Sequence, residues 1–429
     1  MKNLSKLIKE KRAKISIIGL GYVGLPLAIK FSKLGFKVYG YETDKNKISN
    51  LHKNSIYVDT IKRKDFLKVK NKNFKYGYDL KLFSRSDVFI ICVPTPIKKN
   101  KSPDMRFLNE SKNLIKKLNL KNKVIALEST TYPGTTEELF IPIIKSKKLK
   151  IGKDISLIYS PERIDPGNKN FTVENTTKIV SGYSNECLNI SKLLYKNITK
   201  VFPVSNIKTA EFTKILENVY RSINIGFVNE MKMISDKLKI DIFEVISAAK
   251  TKPFGYVPFY PGPGLGGHCI PVDPYLLSWK AKKLNINPRF IELSGEINNH
   301  MPDYVSQKVL KIIVKNHNNI IGKKILILGV SYKKNSADTR ETPSIKIIDN
   351  LRRRGFDIYV SDKYCSESYL KKNRLKNINL NSKNIKKFDC IVIITDHDYF
   401  DYSLIEKKAK LIVDCRGRIK KISKTRFRA

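Results

Sequence analysis

The stretch "KISIIGLGYVGLPLAIKFSKLGFKVYGYE", residues 14–42, admits few folds. Its apolar run over 14–18 reads as a buried strand, the spacing over 22–34 as a helix, and 37–42 as a second strand, so the segment is a βαβ unit. Between strand and helix stand Gly19, Gly21 and Gly24, in GxGxxG spacing, with Tyr22 and Val23 in the gap. There the first glycine permits a tight turn and the second lets a pyrophosphate approach the backbone. The third lets the helix pack on the strand while its N-terminus faces the phosphates. Glu42 ends the second strand, placed to accept both hydroxyls of a ribose and to repel the extra phosphate of NADP. The cofactor read from this unit is NAD.

Further apolar strands over 87–96, 123–130, 155–162 and 178–182 extend the pattern into a parallel sheet with crossover helices. Thr95 and Thr130 fall at strand C-terminal ends, where open α/β sheets place ligands. From residue 205 the pattern changes to one long helix-compatible segment, and residues 205–300 read as mainly helical around a loop at 251–274. A second α/β pattern opens at "KKILILGVSY" and runs through strands at 389–395 and 410–417, without the glycine triplet. The expected class is α/β, with two Rossmann-like doubly wound domains joined by a central helical region containing one long helix. The expected domains are 1–200, 201–305 and 306–429. A helix of that length shares its faces with a neighbour, which predicts a homodimer through the central region.

The formal net charge is +44, carried mostly by lysines spread along the whole chain. A nucleic-acid footprint is a cluster or stripe interleaved with aromatics, so no nucleic-acid partner is expected, while the field suits an anionic substrate. No apolar run is long enough to span a bilayer, and the charged N-terminus lacks a signal-peptide apolar region; the expected setting is the cytoplasm, without a membrane partner. The six cysteines show no CxxC and no metal-ligand spacing, so neither a disulfide framework nor a metal site is expected. Cys92, Cys390 and Cys415 lie inside apolar runs and read as small core hydrophobes.

Cys269 differs, standing in "PGPGLGGHCIPVDP", residues 261–274. Prolines there fix φ and glycines bare the backbone, which suits a preformed loop close to an anion; a packing thiol in a rigid loop is the competing reading. A reactive thiolate needs cationic or hydrogen-bonding neighbours, such as His268, Lys214 or loop amides. Asp273, four residues on, serves as a proton acceptor or orients a water if the chain turns back into a helix there. NAD paired with a nucleophilic thiol implies more than one oxidation. An aldehyde captured as a thiohemiacetal gives up a second hydride to become a thioester, which water releases as an acid. The pair predicts four-electron oxidation of a primary alcohol with two NAD; a two-electron dehydrogenase needs neither Cys269 nor Asp273.

The segments "GLGYVGLPLA", "VPTP", "ESTTYPGTTEE", "SPERIDPGN", "EFTKILENVYRSINIGFVNE", "PGPGLGGHCIPVDP" and "GVSYKKNSADTRETPS" occur in this order. Over nearly its whole length the chain therefore resembles the UDP-glucose/UDP-N-acetylhexosamine 6-dehydrogenase family. The resemblance implies an NAD domain, a helical dimerisation region and a C-terminal domain that holds the UDP portion of a UDP-sugar. It implies Cys269 as nucleophile with Asp273 as its partner, Lys214 and Asn218 as oxyanion and water holders, and Glu162 with Thr130 in acid/base steps. Lys47 and Arg340 are implied at the cofactor. Arg163, Arg221, Tyr260, Gly266, Gly267, His268 and Lys333 are implied at the substrate, with Glu162, Lys214 and Asn218. Arg221 and His268 resemble the N-acetylhexosamine branch, and "PFGYVPFYPGPGLGG" resembles members acting on UDP-N-acetylglucosamine, with mannosamine, galactosamine and glucose analogues as alternatives. The implied product feeds surface polysaccharide synthesis.

Overall fold

A computed structural model describes residues 2–58, 61–163, 173–267, 269–317, 319–419 and 422–429. The chain divides into two compact units, residues 1–217 with 275–286, and residues 218–274 with 287–429.

The first unit is built on an eight-stranded sheet in the order β3-β2-β1-β4-β5-β6-β7-β8. Its strands are β1 (Lys14–Ile18), β2 (Lys37–Tyr41), β3 (Phe74–Gly77), β4 (Val88–Ile91), β5 (Lys123–Leu127), β6 (Ile155–Tyr159), β7 (Lys178–Gly182) and β8 (Val201–Pro203). All neighbours pair in parallel except β6 and β7. The order reverses between β1 and β4, the switch point at which doubly wound sheets open a ligand crevice. Alternate residues of the same strands feed opposite faces. Ile15, Ile17, Val88 and Ile90 pack with Leu27 and Phe31 of the helix Gly24–Lys33, whereas Phe89, Ile91, Ile125 and Leu127 pack with Phe140 and Ile144 of the helix Thr135–Ser146. Burial on both faces is why these strands read as unbroken apolar runs.

The second unit carries a six-stranded, all-parallel sheet in the order β11-β10-β9-β12-β13-β14. Its strands are β9 (Lys324–Leu328), β10 (Asp357–Ser361), β11 (Lys376–Asn377), β12 (Cys390–Ile393), β13 (Ile412–Asp414) and β14 (Arg426–Arg428). The expected α/β class with two Rossmann-like sheets is thus present, and so is the long helix, Ile207–Lys237. The two sheets share an opening turn. Gly19 (φ +89°) donates its N–H to Tyr41 O at 2.8 Å, and Gly329 (φ +82°) donates to Ser361 O at 3.0 Å. The second sheet therefore keeps the first glycine of the turn after losing the other two.

Several strands stop short of their sequence boundaries. The strand expected over 87–96 ends at Ile91, because Pro94 and Pro96 have no N–H to continue a ladder. Those over 123–130 and 155–162 end at Leu127 and Tyr159, which frees Thr130 and Glu162 for the loops beyond the sheet edge.

Candidate active site

The cofactor turn is dictated by backbone proximity. A Cβ on Gly24 would lie 1.9 Å from Gly19 O and one on Gly19 would lie 2.7 Å from Cys92 O, whereas a Cβ on Gly21 would meet nothing within 4 Å. Two glycines are thus required by the fold, and the middle one faces open space. Tyr22 and Val23 complete the turn and pack half-buried against the sheet core. Glu42, buried at the end of β2, accepts the N–H of Leu20 and of Asp44, each at 3.0 Å, and takes Lys47 Nζ at 3.0 Å. The glycine turn, Glu42 and Lys47 thereby form one bonded group. Beside it, Ser129 Oγ donates to Val93 O at 2.7 Å, tying together the loops that carry Thr95 and Thr130. A pyrophosphate over Gly21, at the start of the helix Gly24–Lys33, with a ribose near Glu42, matches this open backbone and carboxylate; the residues present fit NAD.

Past β6, Glu162 accepts the Arg163 N–H on Oε1 at 2.7 Å, while Oε2 faces Lys178 Nζ at 3.7 Å. Arg163 reaches Glu217 with Nε at 2.9 Å and Thr177 O with Nη1 at 2.8 Å. Lys214 is buried one turn after Glu211 on the long helix. Glu211 fixes that part of the helix by accepting the N–H of Gly134 and Thr136 and the hydroxyl of Thr136, so it caps the helix Thr135–Ser146.

In the second unit, Cys269 is exposed. Its carbonyl accepts the Asp273 N–H at 2.8 Å, so the chain does turn back into a helix, Asp273–Lys283, at the residue the sequence marked. Asp273 is buried, and its Oδ2 accepts Asn218 Nδ2 at 2.6 Å. The loop before the thiol is set by contact with Tyr332. A Cβ on Gly266 or Gly267 would lie 2.3 or 2.6 Å from that side chain, and Gly267 (φ +83°) donates its N–H to Arg340 O at 2.9 Å. The segment 330–341 thus braces the thiol loop through Tyr332 and Arg340.

Three family models cover most of the chain in sequence. Residues 13–199 match the NAD binding domain of the UDP-glucose/GDP-mannose dehydrogenase family, residues 208–300 its central domain and residues 326–421 its UDP binding domain. The chain belongs to the UDP-glucose/GDP-mannose dehydrogenase family. It is 36% identical to Protein CapL of Staphylococcus aureus, covering 94% of this chain and 96% of that protein. It is 35% identical to the UDP-N-acetyl-D-glucosamine 6-dehydrogenase of Pseudomonas aeruginosa over 82% of this chain and 83% of that protein. The solved UDP-D-ManNAc dehydrogenase of Pyrococcus horikoshii superposes with a TM-score of 0.86 at 29% identity, covering 97% of this chain and 98% of that one.

As an NAD-dependent UDP-sugar dehydrogenase, the protein places its remaining candidate residues as follows. Arg340 Nε donates to Asp338 at 2.8 Å and its side chain is partly exposed. Lys333 is half-buried in the same segment, Tyr260 is exposed ahead of the glycine loop, and Arg221 is exposed on the long helix. His268 lies outside the described residues. A group that the sequence reading passed over lies under Glu162. Buried Lys178 donates to Glu128 Oε2 at 2.8 Å, and Tyr195 Oη donates to Glu128 Oε1 at 2.6 Å. The available signal is a charged residue inside an apolar strand pattern, Glu128 in "VIALEST" and Lys178 opening "KIVSG". Such residues are rarely buried without a partner.

Proposed function

We propose that this enzyme oxidises the C6 hydroxyl of UDP-N-acetyl-D-glucosamine to the carboxylate, in the cytoplasm, as a homodimer, for surface polysaccharide synthesis. The balanced reaction takes one alcohol, one water and two NAD to one carboxylate, two NADH and three protons. Bound NAD supplies the hydride acceptor for both oxidations, held by Gly19, Gly21, Tyr22, Val23, Gly24, Glu42, Lys47, Thr95, Thr130 and Arg340. In the first oxidation Glu162, with Thr130 and directly or through a water, takes the proton of the C6 hydroxyl. Cys269, its proton passed to Asp273, adds to the resulting aldehyde to form a thiohemiacetal. Lys214 and Asn218 stabilise the oxyanion of that adduct. Loss of the second hydride leaves a thioester on Cys269. Asp273 and Asn218 hold the water that cleaves it, with Glu162 taking a proton, and the thiol regains one. Arg163, Arg221, Tyr260, Gly266, Gly267, His268 and Lys333 hold the UDP-sugar.

The observation that carries this reading is an exposed thiol whose carbonyl starts the helix of a buried aspartate held by Asn218 at 2.6 Å. A two-electron dehydrogenase has no use for that pair. The N-acetylglucosamine assignment is supported by the 35% identical relative from Pseudomonas aeruginosa, which bears that substrate in its name. UDP-N-acetyl-D-mannosamine is the second reading, favoured by the Pyrococcus horikoshii structure. Dimerisation is supported by exposed apolar side chains in the second unit, Tyr220, Phe227 and Ile234 on the long helix and Leu238 just past its end, with Phe290 and Leu293 on the helix Arg289–Asn316. An NADH-release assay across UDP-glucose and the N-acetylated glucosamine, mannosamine and galactosamine derivatives tests the proposal. The highest kcat/KM is expected with UDP-N-acetyl-D-glucosamine. A preference for UDP-N-acetyl-D-mannosamine selects the second reading, and NADH release with UDP-glucose alone overturns both.

A further inference from the structure

We propose that Lys178, anchored from below by Glu128 and Tyr195, is a positioning residue that orients Glu162 and sets the charge beside it during turnover. The inference rests on the acid/base role assigned to Glu162.

Lys178 opens β7 with its side chain buried, and its ammonium has three acceptors for three protons: Glu128 Oε2 at 2.8 Å, Pro161 O at 3.3 Å and Glu162 Oε2 at 3.7 Å. The last distance is an ion pair, not a hydrogen bond. Glu128, fully buried past the end of β5, is fixed on its other oxygen by Tyr195 of the helix Asn185–Tyr195, whose ring lies 5.1 Å from the same ammonium. The anchor therefore comes from two elements, and neither reaches solvent. Glu162 is partly exposed, with Oε1 on the Arg163 N–H and Oε2 toward Lys178.

A purely structural ion pair would be complete with Glu128 and Lys178. Instead one ammonium sits between two carboxylates, one fully buried and one, Glu162, partly exposed. Among the described residues, the groups within electrostatic reach of Glu162 include Lys178 on β7, Glu128 past β5, Cys92 past β4, Tyr195 on its helix and the adjoining Arg163. Burial acts against the Lys178 charge, but Glu128 and Glu162 together raise its pKa above the ordinary value. Burial raises Glu128 and drives the Cys92 thiol far up, so Cys92 stays neutral there. Lys178 is thus the fixed cation of the group. Removing the Lys178 charge and removing the Glu128 charge therefore change the field at Glu162 in opposite directions.

Opposite signs follow for two variants, and a structural role would not produce them. The experiment follows kcat against pH with UDP-N-acetyl-D-glucosamine, or UDP-N-acetyl-D-mannosamine if the panel selects it. It covers the wild type, Lys178→Met, Lys178→Arg, Glu128→Gln and Glu162→Gln, with melting temperature and NAD affinity measured on each. Lys178→Met is expected to lower kcat at neutral pH about tenfold and move the acid limb up by about one pH unit. Lys178→Arg is expected to restore the limb. Glu128→Gln, which keeps an acceptor for Lys178 but removes the competing charge, is expected to move the limb to lower pH. A limb that stays in place in Lys178→Met overturns the proposal, as does an unmoved or upward-moving limb in Glu128→Gln; the second variant decides if the first does not fold. A limb that persists in Glu162→Gln instead overturns the role of Glu162.

Discussion

Cys269 and Asp273 are four residues apart and one helical turn brings them together, the carbonyl of one accepting the N–H of the other. Asp273 is held by Asn218 from a segment 55 residues earlier. Changing Cys269 to Ser removes the proposed nucleophile and little else. Acid formation is expected to fall by at least about a thousandfold, with NAD affinity unchanged by fluorescence titration; retained conversion to acid would remove Cys269 from its role. Asp362, past β10, is the second unit's counterpart of Glu42. It accepts the N–H of Val330 at 2.8 Å and of Ser331 at 3.0 Å, and it faces His397 Nε2 at 3.2 Å. The Asn335 N–H bonds His397 Nδ1, which leaves the ring proton on Nε2, toward Asp362. Burial alone would raise the Asp362 pKa, but His397 and the two amides hold it at about 2. A carboxylate depressed in the folded state stabilises above its ordinary pKa of 3.8, and that contribution disappears as pH falls through about 2. The loss is about 2 kcal/mol. Urea unfolding from pH 5 to pH 2 checks it, with a shallower decline expected in Asp362→Asn.

Within the glycine turn, space separates fold from binding. Gly24→Ala forces a Cβ onto Gly19 O and is expected to destabilise the protein by about 3 kcal/mol. Gly21→Ala points into open space, so its unfolding free energy should stay within about 1 kcal/mol of the wild type while the Kd for NAD rises at least about tenfold. Calorimetry and NAD titration on the two variants distinguish these outcomes. The turn, its flanking strands and the thiol loop were legible in the sequence because each is local, with its signal within about thirty residues. The element ends were less so: "IICVPTP" looks apolar throughout, yet its prolines leave the sheet. The cluster of Lys178, Glu128 and Tyr195 left only two charges inside apolar runs as its sign, with nothing to pair them. Its members lie 50 and 67 residues apart, and only the sheet order places β5 beside β6 and β6 beside β7.

At the scale of the whole molecule, the doubled α/β pattern and the long helix follow from periodicity, and the second sheet repeats the strand order of the first without its glycine triplet. The proposed homodimer rests on exposed surface. Phe227→Glu combined with Ile234→Glu places two carboxylates on exposed apolar positions of the long helix. These changes are expected to weaken a homodimer by at least about a hundredfold in sedimentation equilibrium; a wild-type monomer at micromolar concentration would contradict that assembly. The chemistry itself is decided by counting electrons. NADH formed per UDP-N-acetyl-D-glucosamine consumed, with excess NAD and the product identified by mass, should be two, with the acid as the only product. A ratio of one with an aldehyde or ketone product would contradict the thioester route and leave Cys269 without its part in it.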